Sequence, residues 1–373
     1  MDAIAVSTHG RPRECFGRAA MVHVAIIATT LFSTLLPVDA AAQQVERLFY
    51  YVDRETSYDS FVANVDRIDI LAPSSYNIDE DGVVYGEVDP TVLELAREHG
   101  VRVVPLLVNR GFNQADLTTF LEDEDARTRV IEALVELCRR HDYDGIQLDI
   151  ENLSIHDRDV FTEFYRDVAA ALHAEGYEIS AAVVHKPDEL AGATAYQEWL
   201  FDSWRGGYDL AAMAEVSDFL SVMTYSQHTR RTPPGPQAGL PWMEDVIDVF
   251  LEHMPPEKLS LGIAVGSPHW YTSYEERITP ELARSYNRVE THGWATHLIE
   301  RHGAELHWDD EQKVSYAYFP VEGTWEWIFL EDARSFDARL DLVRRSGLRG
   351  FSVWVIGHED PALWELLPPR TGR

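Results

Sequence analysis

Apolar residues recur along the chain in two alternating rhythms. Short runs rich in β-branched and aromatic residues fall at 48–52, 68–72, 101–107, 145–150, 178–184, 219–224, 259–265 and 350–355. Between most of them, apolar residues recur at i, i+3, i+4 and i+7, as at 127–140, 157–173 and 243–253. The first rhythm is that of strands and the second that of amphipathic helices. Eight strands separated by helices predict an α/β chain folded as a (β/α)8 TIM barrel.

Most predicted strands start about 20 to 45 residues apart, as one strand–helix unit requires. The step from the seventh to the eighth is about 90 residues. It leaves room for the seventh helix, expected at 336–346, and for an insertion. Residues 266–329 are rich in aromatics and contain strand-like pieces at 315–319 and 325–329. They are read as a small α+β insertion between strand 7 and helix 7.

The first 42 residues stand apart. Arg11, Arg13 and Arg18 precede an apolar run from Met21 to Leu36, followed by small residues ending at Ala42. That order describes a secretory signal, with a retained N-terminal anchor as the alternative. The domain layout is therefore a signal at 1–42 and a barrel at 43–373. Removing the signal takes Cys15 with it and leaves Cys138 alone, so no internal disulfide is expected. Cys138 lies in an amphipathic helix pattern and reads as a buried, inert thiol.

Composition narrows the function classes. With 63 acidic against 32 basic residues, the 373-residue chain carries a net charge of −31. Such a surface repels polyanions, which excludes nucleic acid as an expected partner. A mean hydropathy of −0.24 excludes a multi-span membrane protein. No integral membrane role is expected once the signal is removed, and the chain is expected to be a secreted or periplasmic monomer.

The sharpest chemical signal is Tyr143-Asp144-Gly145-Ile146-Gln147-Leu148-Asp149-Ile150-Glu151-Asn152. At period two, Ile146, Leu148 and Ile150 face one way, and Gln147, Asp149 and Glu151 the other. In a barrel the apolar set packs on the helices, and the polar set points inward near the C-terminal mouth. Two carboxylates so close raise each other's pKa. Glu151 is then expected to be a protonated acid, with Asp149 the negative stabiliser.

This run resembles the signature of glycoside hydrolase family 18, Asp-Gly-x-Asp-x-Asp-x-Glu on the fourth barrel strand. Asp144, Gly145, Asp149 and Glu151 match, whereas Gln147 replaces the first aspartate of the catalytic run. Met223-Thr224-Tyr225 resembles the family's sixth-strand Met-x-Tyr-Asp, with Ser226 in place of the aspartate. Gly350-Phe351-Ser352-Val353-Trp354 resembles its eighth strand. The likeness spans most of the chain after residue 48 and is greatest to the bacterial cell-wall and spore-cortex-lytic branch, although no LysM module is present.

The resemblance implies a retaining, substrate-assisted glycosidase acting on β-linked N-acetylglucosamine in peptidoglycan or a chitin-like polymer. It implies Glu151 as acid and base, Asp149 as the partner of the acetamido N–H, Tyr225 as donor to the acetamido carbonyl, and Trp354 as the stacking floor. Gln147, Asn109, Gln227, Glu331 and Lys186 are candidate substrate contacts, from their places at strand ends and motif edges. No cofactor and no metal are implied. His292, His297, His302 and His307 recur every fifth residue and do not share a helix face. Because Gln147 cannot hold a shared proton and Ser226 removes a charge, a catalytically weak or inactive sugar-binding protein is the alternative.

Overall fold

The computed structural model describes residues 45–186, 190–229, 232–272 and 285–370. The expected signal lies outside these residues. Eight parallel strands close into a barrel: Glu46–Tyr51, Ile70–Ile78, a third stave of Arg102–Val103 and Leu106–Asn109, Gly145–Asp149, Glu178–Val184, Phe219–Met223, Leu259–Ala264 and Gly350–Trp354. The first strand pairs with both the second and the eighth, which completes the ring.

Two strands depart from their expected limits. The third was expected to be continuous over 101–107, but Pro105 has no N–H to give and the stave is broken around it. The second runs on to Ile78, past a bulge between Ser74 and Tyr76, and turns at 79–83 into the short strand Val84–Gly86. Gly82 sits in that turn at φ 72°, a conformation that suits glycine.

The helices start where short polar side chains can cap them. Asp123 accepts from the Asp125 and Ala126 amides at the head of Glu124–His141, the acidic cap expected there. Asp89 with Pro90, Asn113 and Asp332 do the same for Pro90–Glu98, Gln114–Glu122 and Ala333–Arg345. The outward strand residues, such as Ile146, Leu148, Val222 and Ile263, pack against helix residues such as Val130, Phe164 and Phe250 in one continuous core. Cys138 is part of it, with its thiol pushed up to about 12 by burial.

The barrel interior is divided. On one side Leu48, Ile70, Ala72, Val104 and Leu106 form an apolar cluster with Tyr50 and Phe219. On the other, hydroxyls and an amide link into a chain. Gln147 Nε2 donates to Ser180 Oγ at 3.0 Å and Ser221 Oγ at 3.4 Å. Ser352 Oγ bridges Ser221 at 2.8 Å and Ser260 at 2.6 Å. Polar groups sealed in a barrel must find one another, and these serines do.

Between the seventh strand and helix Ala333–Arg345 stands a five-stranded antiparallel sheet, with the helix His292–Arg301. Its spatial order is Ser285–Glu290, Ser267–Thr272, Thr324–Leu330, Val314–Val321 and His307–Asp309. Ala317, Phe319, Ile328 and Leu330 on one face pack against Ala295, Leu298 and Ile299 of that helix. The crowded tryptophans divide between two settings. Trp270 is buried and donates to Gly235 O at 2.7 Å, whereas Trp294 and Trp325 are exposed. Among the described residues, no helix is long and apolar enough to cross a membrane.

Candidate active site

The fourth strand ends at Asp149, so Glu151 stands just past the C-terminal rim. Asp149 is buried and its Oδ1 has no hydrogen-bond partner among the described residues. Glu151 is half-buried and accepts from Trp204 Nε1 at 3.2 Å. Burial raises the Asp149 carboxyl well above its ordinary value, and the neighbouring Glu151 raises it further. Glu151 is also raised by burial, with the Trp204 bond working against the shift.

The two carboxyls interact, and both are raised, so their protons belong to the pair. Sequence pattern placed the proton on Glu151 and the charge on Asp149. Asp149 is the deeper group, and its Oδ1 has no donor among the described residues. Spacing along a strand shows that two carboxyls are close; it does not show which is farther from water.

The backbone beneath the acid is fixed from three sides. Asn109 Nδ2 donates to Glu151 O at 3.0 Å, and Asn109 Oδ1 accepts from Glu151 N at 3.0 Å. Tyr208 Oη donates to Ile150 O at 2.5 Å, and Gln114 Nε2 to Asn152 O at 2.9 Å. Asn152 itself adopts φ 56°, so the chain turns sharply as it leaves the acid. Across the mouth, Tyr225 and Trp354 line one cavity of about 500 Å3. Tyr225's hydroxyl is pushed well up by burial and by the Tyr50, Asp149 and Glu151 groups it faces. Trp354 meets Tyr50 edge-on, with ring centres 5.5 Å apart.

The other expected contacts are engaged by the protein itself. Gln147 is fully buried beneath Asp149 and bonded to serines, so it belongs to the barrel interior. Asn109 holds the Glu151 backbone with both ends of its amide. Gln227 Oε1 accepts from Gly239 N at 2.8 Å and ties down its own loop. Glu331 is buried against Arg339 at 3.0 Å and accepts from Ser335 Oγ at 3.0 Å, where the inserted sheet meets the following helix. Lys186 is buried, with its Nζ 6.0 Å from the centre of the Phe201 ring. Each was placed near the sugar from its position in the chain, which does not reveal where a side chain finds its partners.

Trp204, Tyr208 and His185 were not foreseen. Trp204 lies in a π-helical turn, Phe201–Arg205, that no periodicity marks. His185 is boxed by Trp204 and Trp242 and accepts from Arg205 Nη2 at 2.8 Å; burial pushes its pKa down to about 3, which keeps it neutral.

Residues 47–359 match the family described as "Glycosyl hydrolases family 18". The chain belongs to that family. Its acidic pair occupies the mouth of the fourth strand. The chain is 29% identical over 266 residues to the cortical fragment-lytic enzyme of Bacillus subtilis (strain 168), an alignment covering 71% of this chain and 58% of that one. Similar structures include a chitinase from Chromobacterium violaceum, with TM-score 0.75 and 24% identity over 87% of this chain and 98% of the other. The Bacillus megaterium spore cortex-lytic enzyme SleL has TM-score 0.75 and 20% identity, covering 88% of this chain and 75% of that one. The chain thus spans about three-fifths of the length of the first curated relative it matches.

Proposed function

We propose that the protein is a secreted glycosidase that hydrolyses β-linked N-acetylglucosamine in peptidoglycan or a chitin-like polysaccharide, with retention of configuration. One observation carries the reading: a buried Asp149 and a half-buried Glu151 face Tyr225 at the mouth of the barrel. The relatives' names, a cortical fragment-lytic enzyme and a chitinase, support the substrate class.

In this reading the acetamido N–H of the substrate donates to Asp149, supplying the donor that its Oδ1 lacks. The proton of the pair then resides on Glu151, which gives it to the glycosidic oxygen as the C–O bond breaks. The acetamido oxygen attacks the anomeric carbon and forms an oxazolinium, whose positive charge faces ionised Asp149. Tyr225 donates to the acetamido oxygen, and Trp354 stacks under the sugar ring. Glu151 then removes a proton from water, which attacks the anomeric carbon from the face the leaving group left and breaks its bond to the acetamido oxygen. Asn109 and Tyr208 keep the acid in place by fixing the backbone on either side of it.

A second reading has one observation in its favour. Gln147 holds the place of an acid and cannot take a proton from Asp149, so the protein would bind N-acetylglucosaminyl polymers with weak turnover or none. The test compares wild-type protein with Glu151→Gln on purified peptidoglycan and on N-acetylchitooligosaccharides, with products read by mass spectrometry. Cleavage by wild type alone supports the hydrolase and its product ends name the bond. Binding by both without cleavage supports the second reading.

A further inference from the structure

The cavity that holds Tyr225 and Trp354 extends past them to a cluster of different chemistry. It ends at Arg54, just after the first barrel strand, and His358, just after the eighth. Those two strands are neighbours in the ring, and Trp354 closes the eighth, so the three side chains flank one seam of the mouth. Among the described residues, the cavity's lining includes Arg54, His228 and His358 and no carboxylate at all. That is unusual in a chain with 63 acidic residues and a net charge of −31.

Arg54 is exposed and forms no ion pair among the described residues. Its Nη1 meets His358 Nε2 at 3.3 Å. Burial and the nearby guanidinium lower the His358 pKa, so the ring is neutral and Nε2 accepts from Arg54. The contact uses one donor of a planar fork that has five, and orients the others. A cavity of about 500 Å3 is of the size that takes small ligands.

We infer that Arg54, oriented by His358, recognises a carboxylate on the sugar adjoining the N-acetylglucosamine held over Trp354. The preferred substrate class is then a β-linked N-acetylglucosaminyl glycan in which the neighbouring sugar is acidic, as with the lactyl ether of peptidoglycan or a hexuronate. A neutral chitin-like chain leaves the guanidinium without its anion. The inference rests on the glycosidase reading of this cleft. The rest of the acidic surface repels such polymers, so a local cation beside the reacting bond acts on selectivity more than on general attraction.

The test uses Glu151→Gln protein and its Glu151→Gln/Arg54→Gln and Glu151→Gln/Arg54→Lys derivatives. Calorimetry compares oligosaccharides of alternating N-acetylglucosamine and N-acetylmuramic acid with the same glycans after amidation of the lactyl carboxyl. A glycan alternating N-acetylglucosamine with glucuronic acid distinguishes the two sources of carboxylate. The expected result is a preference of about tenfold for the free carboxylate, falling to near unity in Arg54→Gln and to an intermediate value in Arg54→Lys. The same ratio in all three proteins would overturn it. Cleavage by wild-type protein is scored separately: carboxylate preference without any cleavage leaves the anion site standing and removes the glycosidase reading.

Discussion

Asn109 and Glu151 form a closed ring of two hydrogen bonds, each 3.0 Å long, between the side-chain amide of one and the backbone of the other. They belong to adjacent staves of the barrel, so the contact locks the end of the third strand to the exit of the fourth. Asn109 is buried, and both of its partners are backbone groups that lose their bond when the side chain is removed.

Asn109→Ala is therefore expected to cost about 1–3 kcal/mol of stability, from the orphaned amide and carbonyl of Glu151. It is also expected to lower kcat by roughly 100-fold, because a small displacement of the acid spoils its line to the glycosidic oxygen. Urea unfolding together with steady-state kinetics at a temperature where the variant stays folded separates the two effects. Full activity in a destabilised variant would mean that the ring serves the fold alone.

Trp204→Phe removes the indole N–H that binds Glu151 at 3.2 Å while keeping an aromatic surface. The bond favours the ionised carboxylate and so holds the Glu151 pKa down. Its loss raises that pKa. Since Glu151 must start protonated, the basic limb of the kcat/KM profile is expected to move to higher pH. A limb that stays in place would detach Trp204 from the acid's titration.

Glu331 gives a stability prediction far from the reaction. Burial, opposed by Arg339 and Ser335, pushes its carboxyl up from 4.5 to about 7. Between those values the native protein holds a proton that the unfolded chain has released. The contribution is complete below pH 4.5 and is lost as pH rises through 7, a change of about 3 kcal/mol. Glu331→Gln keeps an acceptor for Arg339 but cannot titrate. The difference in unfolding free energy between wild type and variant, measured at pH 5 and pH 8, is expected to shift in favour of the variant at pH 8. A difference independent of pH would show that Glu331 does not titrate in this range.

Much of this architecture was legible in the sequence. The two rhythms of apolar residues placed all eight staves and the 90-residue gap that holds the inserted sheet, because strand and helix periods follow from which face each element buries. The acidic pair was legible for the same reason: polar residues at period two opposite Ile146, Leu148 and Ile150 had to point into the barrel. Depth was not legible. Asp149 and Glu151 look equivalent along the strand, yet Asp149 is buried and Glu151 only half-buried. Side-chain destinations were not legible either. Gln227 and Glu331 sit at suggestive positions, but Gly239 and Arg339 engage them. Trp204 reaches Glu151 from 53 residues away through an irregular turn, and no local pattern announces such a contact.

The most direct test of the central claim is the configuration of the first product. Proton NMR of N-acetylchitooligosaccharide or peptidoglycan-fragment hydrolysis, recorded before mutarotation, reads it with wild-type and Glu151→Gln protein side by side. Substrate assistance at the Asp149–Glu151 pair predicts the β-anomer first, and no product from Glu151→Gln. Initial release of the α-anomer, or undiminished cleavage by Glu151→Gln, would contradict it.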